Sequence, residues 1–261
     1  MSIKIVTKVI ANRIKSILPE VIDAEQSGFV EGRLITDNGL IAIECFHWLK
    51  KKRKGKKGMM AVKLDMSKAY DRIEWPFVQV VLTTMGFPNC MVFVIMRCIS
   101  SVSYQILING QPSKSFQPER GLRQGDPISL YLFILCANVL SGLIHMEVHN
   151  GRIHGLRVAR KSPQISHLQF ADDSLLFARA NQNEANNILK VLDTYQKASG
   201  QMVNMEKSEA SFSRNVLEAD KNTICNMMGA KTVATHNRYL GLPVVFGRSK
   251  KVIFSFVKDR V

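Results

Sequence analysis

Apolar positions in the first eighteen residues, "MSIKIVTKVIANRIKSIL", recur at helical spacing. Ile3, Val6, Ile10, Ile14 and Ile17 form one face, with Lys4, Lys8, Arg13 and Lys15 elsewhere. They predict an amphipathic helix ended by Pro19. After the loop "DAEQSGFVEGRLITDN", a second helix is predicted with Leu40, Ile43, Phe46 and Leu49 on its apolar side. "MMAVKLD", Met59 to Asp65, reads as a strand. "WPFVQVVLTTMGF" and "MVFVIMRCIS" read as helices, the former with Pro76 in its first turn and Gly86 at its end. "SYQILING" and "SKSFQPERG" flank Gly110 as the arms of a hairpin would. "QGDPISLYLFILCANVLSGLIHM" predicts a helix capped by Asp126, with Pro127 at its first position. Asn183 to Ser199 predicts an amphipathic helix ended by Gly200, and "EKSEASFS" a strand. "RYLGLPVVFG" is a short apolar segment near the end. Helices mix with hairpins instead of alternating with single strands, so the fold class is α+β with an antiparallel sheet.

One stretch breaks the apolar rule. In "HLQFADDSLLFA", Asp172 and Asp173 interrupt a segment that should pack into a core. Buried carboxylates are costly, and two side by side repel each other. The simplest conformation is a hairpin with Asp172–Asp173 at its tight turn, a place that aspartate favours on its own account. The alternative is a divalent cation held there, since Mg²⁺ takes hard oxygen ligands from one or two carboxylates and substrate phosphates. Asp65, which ends an apolar strand, is the best third carboxylate. Three carboxylates at one sheet edge would suit two-metal phosphoryl transfer.

Composition narrows the partners. Lys and Arg number 36 against 21 Asp and Glu, a net charge of +15, which points to a polyanion: nucleic acid most simply, an anionic membrane less simply. "KKKRKGKK", Lys50 to Lys57, is an exposed loop that suits nuclear import, phosphate contact or plain solvation. Five cysteines without C-x-x-C spacing indicate buried thiols in a reducing compartment, with neither a disulfide framework nor a zinc site. His145 and His149 could share a helix face, but no third ligand is evident. Two runs lack charge, Trp75–Met96 and Pro127–Met146; the first is broken by Gly86, Pro88 and Asn89, and the second reads as a buried core helix, so no membrane partner is expected. The first helix shares its acid-free basic pattern with organelle-targeting peptides, but a surface helix is the favoured reading.

"KLDMSKAYDRIEW", "RGLRQGDPISLYLF" and "FADD" together resemble the catalytic motifs of reverse transcriptases, in the family's order. "ANRIKSILPEVIDAEQSGFVEGRLITDN", "SGQMVNMEKSE" and "RYLGLP" are similar to accessory blocks of non-LTR (LINE-type) retrotransposons, particularly plant copies. The resemblance runs over nearly the whole chain. It implies a right-handed polymerase palm with an antiparallel sheet flanked by helices, partial fingers and little or no thumb. Residues 1–57 would be fingers and template-guiding segment, 58–235 the palm, and 236–261 the palm end and start of the thumb. The implied activity is RNA-directed DNA polymerisation, with RNA template, DNA primer and dNTPs as partners; no oligomeric state follows from it.

The resemblance also assigns roles. Asp65, Asp172 and Asp173 would be catalytic and would hold two Mg²⁺ ions, or Mn²⁺ in their place. Tyr70 falls on the aromatic gate that excludes a 2′-hydroxyl by clash. Met66, Ser67, Lys68 and Ala69 form the turn between, whose amides would face a triphosphate. Gln124 and Gly125 match a nucleotide and template contact, and Lys207 a lysine beside the leaving pyrophosphate. Arg120 and Arg123 would touch phosphate, or be surface charges. Gln26, Gly28, Phe29 and Arg33 would guide template, or form a structural loop packed on the palm. Leu130 stands where the family usually has proline. The upstream endonuclease and early finger strands of a full element are not found, so the alternative is an inactive retroelement relic that only binds nucleic acid. A non-polymerase nuclease would leave the Tyr70 and Gln124 blocks without a role. Location in nucleus or cytoplasm is expected, the nucleus slightly favoured.

Overall fold

The structure, a computed structural model of the chain, describes residues 3–234, 236 and 238–243. In chain order its elements are α1 (Ile3–Val21), α2 (Ile35–Lys51), β1 (Met59–Leu64), β2 (Met66–Ser67), α3 (Trp75–Thr84), α4 (Asn89–Ser100), β3 (Leu107–Ile108), β4 (Gln111–Pro112), α5 (Ser129–His149), β5 (His167–Phe170), β6 (Asp173–Arg179), α6 (Gln182–Ser199), β7 (Met202–Val203), β8 (Glu209–Phe212), α7 (Glu218–Met228), β9 (Lys231–Thr232), β10 (Arg238–Tyr239) and β11 (Leu242–Pro243).

A five-stranded sheet in the order β5-β6-β1-β8-β9 is the centre of the molecule. Its pairs are antiparallel except β8–β9. β1 lies in the middle and is buried along both faces, which its near-continuous apolar run "MMAVKL" permits. One face packs on a large core that includes Met60, Val62 and Leu64 with α1, α3, α4, α5 and α6. The other face, with Ala61, Leu175 and Phe177, is covered by α2 and Tyr239. α5 is the one helix among the described residues long and apolar enough to cross a membrane. Its Leu132, Phe133, Cys136, Leu140 and Ile144 are instead core residues, contacted by α1, α3 and α6.

Several expectations shift by a turn or a face. α1 continues through Pro19 to Val21. The proline ring lies on the exposed side, where the carbonyl it leaves unpaired can meet water. α2 buries Asn38, Ala42, Cys45, Phe46 and Leu49, while Leu40 is 60 % exposed. A strict three-residue spacing drifts off a 3.6-residue helix, which explains the missed face. α5 starts at Ser129, and Asp126 accepts the Ile128 N–H (3.2 Å) one turn ahead of the helix. The hairpin around Gly110 forms as β3–β4, with Tyr104 bridged to Phe116 beyond it. Residues 244–261, which hold most of the expected palm end and thumb, lie outside the described residues.

Candidate active site

The hairpin β5–β6 is closed by Ala171 and Asp172, because Phe170 pairs with Asp173 across it. Asp173 therefore begins β6 and only Asp172 is in the turn proper, one residue off the expected placement. Along β1–β6 the last pair is Leu64–Ser174. One step further, the register sets Asp65 opposite Asp173. The antiparallel order thus brings the end of β1 and the start of β6 together. A single pocket is lined by Lys63, Asp65, Met66, Asp172, Asp173, Lys207 and Glu209.

The carboxylates act on one another electrostatically. Burial pushes the Asp173 carboxyl upward; Lys63 opposes the shift, and Asp172 and Asp65 add to it. A charged pair of neighbours that raises a half-buried carboxylate is stabilised when a cation enters. The donor set is all hard oxygen, and the pocket is polar, so the residues fit a divalent cation. Lys63 and Glu209 were not foreseen. Lys63 could have been, since it lies two residues before Asp65 on the same face of a strand. Glu209 lies opposite Lys63 in the register and accepts a bond from His236 (3.0 Å).

The segment after Asp65 is held from two sides. Met66 and Ser67 are not turn residues: they form β2 and pair with Val203 and Met202 of β7. The turn proper runs from Lys68, at φ +49°, to Asp71, whose N–H bonds the Lys68 carbonyl (3.0 Å). The Ala69 carbonyl accepts the Gln201 amide (2.9 Å), and Tyr195 donates to the other end of that amide. Tyr70 lies flat on Phe133, with ring centroids 4.4 Å apart at 14°. Burial, and then the charge of Asp172, push its phenol up to about 12, so it is a neutral plate beside the carboxylates.

The loop carrying Gln124 and Gly125 is tied to that plate. Leu122 N–H bonds the Tyr70 carbonyl (2.9 Å) and Gly121 N–H the Ile73 carbonyl (2.8 Å). Gly121 has φ +88°, and a Cβ there would lie 2.8 Å from the Asp71 oxygen, so glycine is required. Gln124 and Gly125 are exposed. Arg120 pairs with Glu74 at 3.3 Å and Arg123 with Asp126 at 3.8 Å.

The loop with Gln26 turns out to grip the hairpin from behind. Gln26 is fully buried and its side-chain oxygen accepts N–H bonds from Gly28 (2.8 Å) and Ala171 (2.9 Å). Gly28 packs so closely that a Cβ would lie 2.4 Å from the Ala171 nitrogen. Ser27 N–H and the Asn38 amide both bond the Gln169 carbonyl, each at 2.9 Å. Phe29 is half exposed, with its ring 6.1 Å from Phe170. The Arg33 guanidinium donates to the carbonyls of Pro19, Ile22, Asp23 and Gln26, closing the end of α1. Behind the same hairpin, ligand atoms of Glu25, His145 and His167 lie within 4.8 Å of one another. His149 is not in that group. The third partner of His145 comes from a distant loop, which helix spacing alone could not reveal.

The sequence pattern of the family described as reverse transcriptase (RNA-dependent DNA polymerase) matches residues 1–244. The chain belongs to the reverse transcriptase family. Reverse transcriptases generally use divalent metal ions. An uncharacterised mitochondrial protein of Arabidopsis thaliana is 57 % identical over 68 residues, 26 % of this chain and 56 % of that protein. The transposon TX1 149 kDa protein of Xenopus laevis is 28 % identical over 205 residues, 78 % of this chain and 15 % of its own length. The Pol polyprotein of the type-1 retrotransposable element R2 of Popillia japonica is 27 % identical over 161 residues, 62 % of this chain and 25 % of its own. The chain thus spans little more than half of one curated relative and a quarter or less of the others. Telomerase from Candida tropicalis, solved with a fragment of telomeric RNA, superposes with a TM-score of 0.57 at 14 % identity, over 99 % of this chain and 40 % of that one. That likeness confirms the α+β polymerase palm as the fold.

Proposed function

We propose that this reverse transcriptase domain adds deoxynucleotides to a primer 3′-hydroxyl on an RNA template, at Asp65, Asp172 and Asp173. The observation that carries the reading is the convergence of these three carboxylates at one end of the sheet, beside Tyr70 and Lys207. The three would hold two Mg²⁺ ions, or Mn²⁺, which when bound lower the cost of deprotonating the hydroxyl and of the charge on the departing oxygen. In the reaction the 3′-oxygen forms a bond to the α-phosphorus, and the bond to pyrophosphate breaks. Asp65 and Asp173 lie opposite each other in the register of β1–β6, so both would hold an ion at the same end of the sheet. Lys207, on the pocket wall, offers a cation to the pyrophosphate. Tyr70 is braced by Phe133, so it cannot swing aside to admit a ribose 2′-hydroxyl. Gln124 and Gly125, fastened to Tyr70 through Leu122, would meet the template base pair. Arg120 and Arg123 would lend charge to the same strand.

The test is primer extension on an RNA template with dNTPs and Mg²⁺. Asp172→Asn combined with Asp173→Asn is expected to lower the rate by at least about 10²-fold, the order found when electrostatic stabilisation of a transition state is removed. Extension that survives the double substitution would sink the assignment. Tyr70→Ala should keep extension and raise ribonucleotide incorporation.

A further inference from the structure

The central sheet is electrically polarised along its strands. β1, β6 and β8 each have an acid at the active-site end: Asp65 follows β1, Asp173 opens β6 and Glu209 opens β8. Their other ends are basic. β1 is preceded by Lys50, Lys51, Lys52, Arg53, Lys54, Lys56 and Lys57, with no acid among them. β6 ends on Arg179 and Arg214 follows β8. Arg179 shares Glu184 at 3.9 Å, but among the described residues none of the loop cations enters an ion pair. All but Lys52 are exposed, and Lys52 lies over the Trp48 ring at 5.0 Å.

The loop has a defined shape. The Asn215 amide bonds the carbonyls of Gly55 (2.7 Å) and Lys57 (3.2 Å), and Gly55 bends the chain at φ +101°. Seven like charges in eight residues repel one another, and holding them in one place costs free energy that a bound polyanion returns. From residue 42 to residue 79 no large apolar side chain is exposed, and Leu217, three residues beyond Arg214, is a single exposed apolar side chain, too little to anchor this face in a lipid surface. A strand rises ~3.3 Å per residue, which puts the loop about 20 Å from the carboxylates, two Debye lengths at ordinary salt.

We propose that the basic 50–57 segment, the last two residues of α2 and the loop after it, with Arg214, is a second nucleic-acid site that binds phosphate backbone outside the polymerase cleft. It holds a segment of RNA or DNA by charge, without reading bases. The site stands independently of the polymerase reading, because its test needs no catalysis.

The whole chain is titrated with a fluorescent 20-nucleotide RNA, by anisotropy, over a range of salt. One variant carries Arg53→Gln, Lys54→Gln, Lys56→Gln and Lys57→Gln. A second removes the same charge from scattered sites: Lys8→Gln, Arg97→Gln, Lys114→Gln and Lys161→Gln. The loop variant is expected to bind at least tenfold more weakly, with a log–log salt slope shallower by about 3, the value for four lost phosphate contacts on a single strand. The scattered variant should keep most of the affinity and the slope. Equal losses in both would reduce the effect to net charge and overturn the site. Unchanged binding in the loop variant would overturn it too, and would leave the loop to a protein partner such as an import receptor. Thermal unfolding of each variant checks that the fold is kept.

Discussion

Gln26 commits its whole carboxamide to the loop and turn around Ala171. Ala171, at φ +53°, is a residue with a side chain in a conformation that favours glycine. Such a backbone persists only where its surroundings over-determine it. Here the Gln26 oxygen takes the Ala171 N–H, Gly28 leaves no space behind it, and the Gln169 carbonyl is held by Ser27 and Asn38. Gln26→Ala is expected to leave two buried N–H groups without a partner and to destabilise the chain by about 1–3 kcal/mol. Urea unfolding measures this. The Ala171 amide should also exchange hydrogen faster in that variant, and unchanged protection would show that the turn stands without the clasp. Gly28→Ala should be worse, because the contact it creates is with backbone, which cannot move aside as a flexible side chain can.

At the scale of elements, α6 shows local rules and tertiary structure agreeing. Asn181 accepts the Glu184 N–H at 2.9 Å as its cap, and Gly200 ends the helix at φ +74°. Asn181→Ala should cost about 1 kcal/mol. Gly200→Ala should cost more, since its Cβ would lie 2.7 Å from the Arg72 oxygen and disturb the bond from Glu74 N–H to the Ser199 carbonyl. Thermal melts of the two variants would rank them. α6 and its Gly200 end were legible in the sequence, as were α5, the Asp172–Asp173 hairpin and β1, because each has a strong period or a marked terminus; the Asn181 cap was not among them. What escaped has a physical reason. α7 has few apolar residues to set a period, and its start has no side-chain cap. The grip of Gln26, the pairing of β2 with β7 and the place of Glu209 are contacts between distant segments, which no local pattern records. The three carboxylates were found through their motifs; their convergence is a property of register.

Across the whole molecule, stability should depend on pH through buried imidazoles. Burial, and then His145, lower the His167 pKa from 6.5 to about 3, and its ring is held neutral between the Ser141 and Ser166 hydroxyls. Burial also lowers that of His236, against the pull of Glu209. In both the unfolded chain binds the proton more readily. Their contribution is therefore complete above pH 6.5 and is lost as pH falls below it, by up to about 1.4 kcal/mol per pH unit for each group. Urea unfolding at pH 7.0, 6.0 and 5.0 checks the sign, and His167→Gln should flatten the profile by its share. The same architecture has a temporal side. Gln26 and Ala171 are 145 residues apart in the chain. The carboxylates of β1 and β6 likewise meet only after a long loop has closed. Pairings of this kind are slow to form, because loop entropy is lost before the contact rewards it. The carboxylate cluster thus forms only with the long-range pairing of β1 and β6. Opening of the short 22–34 segment alone would remove the bonds that hold the Ala171–Asp172 turn, whereas the pairing of β1 with β6 does not depend on them.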